Sequence, residues 1–142
     1  MADRMASAVW QGDLFGGSGT VSAVSSRVFK ETGVTWASRT EEPGGKTSPE
    51  ELIAAAHAAC FCMALSNELS SRGHPPGRLE ILATCTFEPG KGITTMSIDA
   101  TGYIPDADDA AFQEGLGAAE QSCPVSNALR GNVDIQVEGR LG

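Results

Sequence analysis

Residues 48–65 of the chain read SPEELIAAAHAACFCMAL, and this stretch decides the fold. Ser48 suits the N-cap of a helix and Pro49 suits its first turn. Glu51 stands at the reciprocal position of a capping box, where a carboxylate can reach back to the N-cap. Together these residues predict a helix that begins at Pro49.

The same pattern predicts where this helix ends and how much cover it needs. It should continue to about Arg72, because Gly73-His74-Pro75-Pro76 cannot extend it. Between Leu52 and Leu65 the helix is apolar nearly all round, so every side of it must be covered. The run is interrupted by His57 and is shorter than the roughly 20 residues that a membrane span needs.

Shorter elements flank the helix on both sides. Alternation of apolar and polar residues predicts strands at 7–10, 19–26, 34–39, 79–88, 94–101 and 133–138, and helical spacing predicts helices at 108–122 and 124–130. The loop between the fourth and fifth strands predicts a hairpin. In the strand at 34–39, Arg39 would lie on the face opposite Val34 and Trp36. The pattern indicates an α+β fold.

Composition limits the classes of function. The chain has 142 residues, 41% of them hydrophobic, which suits one domain over residues 1–142. Its net charge is −8 and its cations are scattered, which argues against nucleic acid and anionic membranes as partners. The first ten residues resemble no export signal, so we expect a cytoplasmic protein with reduced cysteines. Transient catalytic disulfides remain possible there.

Four cysteines could suggest zinc, but their spacing opposes it. Cys60 and Cys62 are two residues apart on a helix, about 200° around its axis, so they cannot face one metal. No metal site is expected. Cys85 falls on the apolar face of a strand, where cysteine behaves as a small hydrophobe. Core packing is also the expected role of Cys62.

Cys60 and Cys123 are the remaining candidates for chemistry. Pro124 disfavours helical geometry at Cys123, so Cys123 should cap the helix that follows, where free N–H groups favour a thiolate. A plain buried cysteine is the alternative. His57 shares a helix face with Cys60, which allows a Cys–His dyad of hydrolase type or, alternatively, a hydrogen-bonded core histidine.

Three segments of the sequence resemble the OsmC/Ohr family of hydroperoxide reductases. SPEELIAAAHAACFCMAL around Cys60 and CPVS around Cys123 are similar to the two cysteine motifs of that family. The segment AVWQGDLFGGSGTVS resembles the start of its OsmC branch, and His57 also favours that branch. The resemblance covers essentially the whole chain.

The resemblance implies a role for four residues. The peroxidatic cysteine of the family falls on Cys60 and its resolving cysteine on Cys123. Its catalytic glutamate falls on Glu50, and its arginine falls on Arg39 in WASRTEE. Ser48 stands where Asn is usual, and both residues cap helices.

The implied activity is that of a thiol peroxidase for organic hydroperoxides. Cys60 would form a sulfenic acid, Cys123 would convert it to a disulfide, and a dithiol reductant, a lipoylated protein, would reopen that bond. No cofactor is implied. The family's fold has antiparallel sheets around a long central helix in an intertwined homodimer. A peroxide-sensing or ligand-binding protein without catalytic turnover is the alternative.

Overall fold

The computed structural model describes residues 1–142, which form six strands and four helices. In chain order these are β1 (Ala6–Gln11), β2 (Ser18–Ala23), β3 (Thr32–Val34), α1 (Trp36–Thr40), α2 (Pro49–Ser71), β4 (Arg78–Glu88), β5 (Gly92–Tyr103), α3 (Asp109–Ser122), α4 (Pro124–Leu129) and β6 (Asp134–Leu141). The chain divides into two compact units, an N-terminal unit (Met1–Leu52) and a C-terminal unit (Ile53–Gly142). The single domain over 1–142 stays a prediction, and each unit is described by itself.

The N-terminal unit contains an antiparallel sheet in the order β1-β2-β3. Trp10 pairs with Gly19, and Val21 pairs with Thr32. A Cβ atom on Gly19 would lie 2.5 Å from the Val9 carbonyl oxygen, so only glycine fits there. The predicted strands at 7–10 and 19–26 are confirmed in place, although β2 ends at Ala23.

The prediction of a strand over 34–39 is wrong after its first residue. Thr35 and Ser38 form a capping box: Thr35 Oγ1 accepts from the Ser38 amide at 3.0 Å, and Ser38 Oγ accepts from the Thr35 amide at 2.9 Å. The weak alternation over residues 35–39 does not outweigh two such hydrogen bonds, so the chain turns into the short helix α1. Arg39 therefore projects from a helix and not from a strand.

Helix α2 spans Pro49–Ser71, in agreement with its predicted ends. Ser48 Oγ accepts a hydrogen bond from the Glu51 amide at 3.1 Å, as an N-cap should. The capping box is not completed, because the Glu51 carboxylate accepts from the Thr47 hydroxyl at 2.7 Å instead. Past the helix, Gly73 adopts a φ of +84°, a left-handed conformation that ends helices.

The C-terminal unit contains a sheet in the order β4-β5-β6. Strands β4 and β5 form the predicted antiparallel hairpin, with a register shift between Thr86 and Phe87. The expectation of antiparallel sheets is wrong for β6, which runs parallel to β5. The connection between them contains α3 and α4, and a crossover that includes helices is what joins parallel strands.

The core of the C-terminal unit lies between α2, β5 and α3. Its central side chains, none of them with exposed surface, are Phe61, Leu65 and Leu69 from α2, Met96 and Ile98 from β5, and Phe112 from α3. A Cβ atom on Gly115 would lie 2.6 Å from Leu69 Cδ2, so this glycine allows α3 to approach α2 closely. The buried stripe of α2 holds this unit together.

The rest of α2 has less cover than its composition requires. Met63 is 69% exposed, and Ala55 and Ala59 are exposed on the same side. By length and composition alone this helix could cross a membrane: it has 23 residues, and an 18-residue window of it has a mean hydropathy of 1.4, with 22% of that window buried. The core helix of a soluble protein passes the same test.

Candidate active site

The four candidate residues form two pairs, one in each unit. Arg39 and Glu50 are paired in the N-terminal unit, and Cys60 and Cys123 are paired in the C-terminal unit. Helix α2 contributes Glu50 and Cys60, α1 contributes Arg39, and the junction of α3 and α4 contributes Cys123.

The Arg39–Glu50 pair is a two-point ion pair. Arg39 Nε donates to Glu50 Oε1 at 3.0 Å and to Oε2 at 3.2 Å, and Nη2 donates to Oε1 at 2.7 Å. The Glu50 side chain is 8% exposed and that of Arg39 is 27% exposed. A fork of this kind fixes the plane of the guanidinium and satisfies a buried carboxylate. The remaining edge of the guanidinium is thereby held in one orientation.

An apolar cavity lies beside this ion pair within the N-terminal unit. It has a volume of about 270 Å³, and its wall includes Trp10, Leu14, Trp36 and Leu52. Arg39 is the one charged residue in that wall. Its guanidinium carbon also stands 5.8 Å from the centre of the Trp36 ring, a cation–π distance. The cavity thus combines a hydrophobic wall with a single cation.

In the C-terminal unit the thiols of Cys60 and Cys123 are neighbours. Both are free, and each acts on the ionisation of the other. Cys60 is half-buried in the middle of α2, whereas Cys123 has no exposed surface. The structure therefore brings together the two cysteines that the sequence singled out.

The two thiols experience opposite surroundings. Burial raises the pKa of the Cys60 thiol, the Val125 amide offsets this in part, and the hydrogen bond to Cys123 raises it further. Burial also opposes ionisation of Cys123, but hydrogen bonds from the Ser126 amide and hydroxyl, from Cys60 and from the Val125 amide outweigh it and lower the pKa. Of the two sulfurs, Cys123 is the better stabilised as a thiolate.

The backbone explains this difference. Cys60 lies within a continuous helix, where the amides are already bonded, whereas Cys123 is the N-cap of α4. Its thiol makes no capping hydrogen bond of standard geometry. The sulfur nevertheless lies against the first amides of α4, which stabilise it once it is ionised. The prediction that Cys123 caps the start of this helix is confirmed.

Of the other two cysteines, only Cys85 packs against the core, whereas Cys62 is half-buried beside an open surface cavity, so the prediction of core packing is not confirmed for Cys62. Cys85 is half-buried on β4 against the core, as predicted. Burial raises the pKa of the Cys62 thiol. No group of His, Cys, Asp and Glu side chains is arranged to hold a metal ion.

His57 is not the partner of Cys60. Its imidazole has no exposed surface, and its Nε2 lies 2.7 Å from Ser126 Oγ, while Nδ1 has no hydrogen-bond partner. A Cys–His dyad is therefore not formed, and the hydrolase hypothesis lacks its base. Burial lowers the His57 pKa, and the negative charge of Glu120 offsets this in part. Sequence reasoning missed Ser126, although it is the last residue of the CPVS motif.

Arg130 ties α4 to α3 on either side of Cys123. Its Nη1 donates to Glu120 Oε1 at 2.5 Å and its Nη2 to the Glu120 carbonyl at 2.8 Å. Nη2 also donates to Asn127 Oδ1 at 2.9 Å. These contacts hold the junction that positions the Cys123 sulfur.

Two neighbouring cysteine thiols, one half-buried and one without exposed surface, could form a disulfide with each other. Comparisons with known proteins show the family. Residues 42–138 match the family described as OsmC-like protein, a range that includes Glu50, Cys60 and Cys123 and begins after Arg39. The chain is 35% identical over 132 residues to peroxiredoxin OsmC of Escherichia coli K12, with 91% of each chain covered.

Further relatives bear the second name of the family. An organic hydroperoxide resistance protein of Xanthomonas axonopodis is 33% identical over 93 residues, which cover 65% of this chain and 66% of that protein. The crystal structure of an organic hydroperoxide resistance protein from Elizabethkingia anophelis has a TM-score of 0.76 at 27% identity, with 100% of this chain and 98% of that chain covered. This chain belongs to the OsmC-like family.

Proposed function

We propose that the protein is a thiol-dependent peroxidase for organic hydroperoxides in which Cys60 attacks the peroxide and Cys123 resolves the product. The observation that carries this proposal is that two neighbouring thiols differ in exposure. Cys60 is half-buried and can meet a substrate, whereas Cys123 has no exposed surface and can meet only Cys60. The names of the relatives, peroxiredoxin and organic hydroperoxide resistance protein, support the same activity.

The proposed reaction has two chemical steps. The Cys60 thiolate attacks the terminal peroxide oxygen, the O–O bond breaks, and the alkoxide takes a proton and leaves as the alcohol. Cys60 is then a sulfenic acid. The Cys123 thiolate attacks its sulfur, the S–O bond breaks, and hydroxide leaves as water after taking a proton. Because the two thiols are already neighbours, disulfide formation requires little movement.

The first step requires a source of positive charge for Cys60. Burial raises the pKa of this thiol, yet only the thiolate is a good nucleophile. We assign this role to Arg39, whose guanidinium is always charged, and the role of holding Arg39 to Glu50. The two-point hydrogen bond between them supports the assignment, since it fixes the direction of the guanidinium.

Preference for organic hydroperoxides is part of the proposal. An alkyl or aryl tail gains free energy when it leaves water for an apolar surface, whereas hydrogen peroxide has no tail. The cavity beside Arg39, with its walls of Trp10, Leu14, Trp36 and Leu52, offers such a surface in the N-terminal unit.

Three further features belong to the proposal. The working form is a homodimer, supported by the exposed apolar side of α2 at Ala55, Ala59 and Met63. The reductant is a dithiol carried by a lipoylated protein, because reopening a disulfide by exchange is completed by a second thiol. The location is the cytoplasm, which suits four free cysteines.

A dithiol-dependent peroxidase assay tests the proposal. Cumene hydroperoxide should be consumed with dihydrolipoamide as reductant and only slowly with a monothiol. Cys62→Ser and Cys85→Ser are matched controls that should retain activity, since neither thiol lies in the proposed pair. Absence of hydroperoxide consumption by the wild-type protein would overturn the proposed function, and retention of full activity by Cys60→Ser would overturn the assignment of Cys60.

A further inference from the structure

A buried polar pair beside the thiols is not used by the mechanism above. His57 and Ser126 both have no exposed surface, and their Nε2 and Oγ atoms are 2.7 Å apart. They lie on different elements, α2 and α4, and are 69 residues apart in the chain. Two polar groups removed from water in this way need a reason, because burial without mutual hydrogen bonding is costly.

Ser126 has a second neighbour, the Cys123 sulfur. Cys123 is the N-cap of α4 and Ser126 is the third residue after it, the position from which a side chain reaches back to the N-cap. The Ser126 hydroxyl and amide both lower the pKa of the Cys123 thiol, although this thiol makes no capping hydrogen bond of standard geometry. Ser126 therefore adjoins Cys123 in the first turn of α4, and its hydroxyl also bonds the His57 imidazole.

The chemistry of these groups fixes the direction of the hydrogen bonds. When Cys123 is ionised its sulfur only accepts, so the single hydroxyl proton of Ser126 must then point to Cys123. The oxygen of Ser126 then has only lone pairs to offer His57, so His57 must donate from Nε2. Burial keeps the imidazole neutral, with one N–H, and a proton on Nε2 places that N–H on the only ring nitrogen that has a partner.

We propose that His57 and Ser126 form a donor chain, from His57 Nε2–H to Ser126 Oγ–H to Cys123 Sγ, which stabilises the resolving cysteine when it ionises to attack Cys60. The inference rests on the proposed role of Cys123. Ser126 contacts the reacting sulfur, and His57 is a positioning residue that acts through Ser126. No proton moves along the chain: it stabilises the attacking thiolate, and the departing hydroxide takes its proton from solvent.

Few charged groups act on the His57–Ser126–Cys123 donor chain. Glu120 on α3 is the charged group that acts on His57, and it is itself paired with Arg130. The groups that act on Cys123 are the Cys60 thiol and the polar groups of Val125 and Ser126, none of them charged. Hydrogen bonds, and not a cation, therefore distinguish the resolving thiol.

A titration of Cys123 tests the chain without any peroxide. In a Cys60→Ala protein labelled with ¹³C at cysteine Cβ, the Cys123 resonance, assigned by its loss in Cys123→Ser, reports the thiol pKa. Ser126→Ala should raise this pKa by about one unit, a tenfold loss in acidity. His57→Leu should raise it less, and His57→Gln, which keeps a donor near the Nε2 position, should restore most of the loss.

The double variant identifies an action through Ser126. In a Ser126→Ala background, His57→Leu should add no further shift. An unchanged Cys123 pKa in Ser126→Ala would overturn the proposed donor chain. A pKa shift caused by His57→Leu that persists in the absence of Ser126 would overturn it too. If His57→Leu fails to fold, ¹⁵N spectra of histidine in the wild-type protein decide: a neutral ring with its proton on Nε2 supports the chain, and a proton on Nδ1 overturns it.

The failure of this inference is separable from that of the proposed function. If the wild-type protein consumes no hydroperoxide, the function fails although the Cys123 titration can still show the chain. If the protein is a peroxidase, Ser126→Ala should slow disulfide formation severalfold at a pH below the wild-type Cys123 pKa, because the thiolate fraction falls about tenfold while the more basic thiolate is a somewhat better nucleophile, with the rate of Cys60 oxidation unchanged. Equal slowing of both steps would contradict a chain that acts on Cys123.

Discussion

The middle of α2 and the junction of α3 with α4 hold the same side chain in opposite electrostatic settings. At Cys60 the helix is continuous, its amides are already bonded, and burial raises the thiol pKa. At Cys123 the chain begins a new helix, and the amides and hydroxyl of the CPVS motif lower the pKa of the thiol. The difference shows that backbone position, and not residue type, decides which thiol needs help from elsewhere in the protein.

Removing each cysteine in turn should give the largest contrast between these two regions. Cys60→Ser should abolish hydroperoxide consumption even in a single turnover, because the accessible nucleophile is lost. Cys123→Ser should consume one equivalent and then stop as a sulfenic acid, which dimedone traps. Stopped-flow peroxide consumption and intact mass measure both outcomes. Equal loss of the first turnover in the two variants would contradict the assigned roles.

Arg39→Ala should increase the difference between the two thiols by raising the pKa of Cys60. Loss of the cation should raise the Cys60 pKa by about one to three units and slow the peroxide step at neutral pH, leaving the fold intact. In both proteins the rate should rise with pH, because the thiolate forms above the thiol pKa, and the profile of the variant should lie at higher pH. Peroxide-step rates measured against pH give the shift. Arg27→Ala, an exposed cation in the same unit, is the matched control, and an unchanged profile in Arg39→Ala would reassign this role.

Substrate preference should reveal whether Cys60 works beside an apolar surface. Burial of about 100 Å² of a hydrophobic tail is worth over 2 kcal/mol, or more than tenfold in kcat/KM. Cumene hydroperoxide should therefore exceed hydrogen peroxide by more than tenfold under the same dithiol conditions. A ratio near one would show that no apolar surface contributes to the peroxide step.

Arg130→Ala should have the smallest effect, confined to the region of Cys123. The partly exposed ion pair with Glu120 is worth about 0–1 kcal/mol, so urea unfolding should show only a slight loss of stability. Disulfide formation should slow modestly because α4 is less firmly held, with Cys60 oxidation unchanged. Arg78→Ala, which removes another exposed ion pair, should change neither rate. A slower Cys60 oxidation in Arg130→Ala would show that the two regions are not independent.

The elements that sequence predicted well are those set by periodicity or by local caps. Helix α2, the hairpin of β4 and β5, and the N-cap position of Cys123 all follow from residues within a few positions of one another. The strand prediction for residues 34–39 was wrong because a pattern of alternation does not reveal the Thr35–Ser38 capping box. The expectation of an antiparallel β6 was wrong because the direction of pairing depends on the crossover connection and not on the strand itself.

The candidate site was predictable in its residues but not in all its contacts. The two cysteine motifs and the family resemblance are enough to identify Cys60 and Cys123 in the sequence. The partner of His57 was not identified, because Ser126 lies 69 residues away and only folding brings the two together. A contact of that range leaves no spacing pattern in one sequence, whereas the Arg39–Glu50 pair could be expected from the resemblance.

The most direct test of the Cys60–Cys123 pairing is the disulfide that forms in one turnover. The reduced wild-type protein is treated with one equivalent of cumene hydroperoxide without reductant, alkylated and digested, and the cross-linked peptides are identified by mass spectrometry. A single species that joins Cys60 to Cys123 is the predicted result, because these two thiols are already neighbours. A disulfide through Cys62 or Cys85, or a Cys60 sulfenic acid that persists beside a free Cys123, would contradict it.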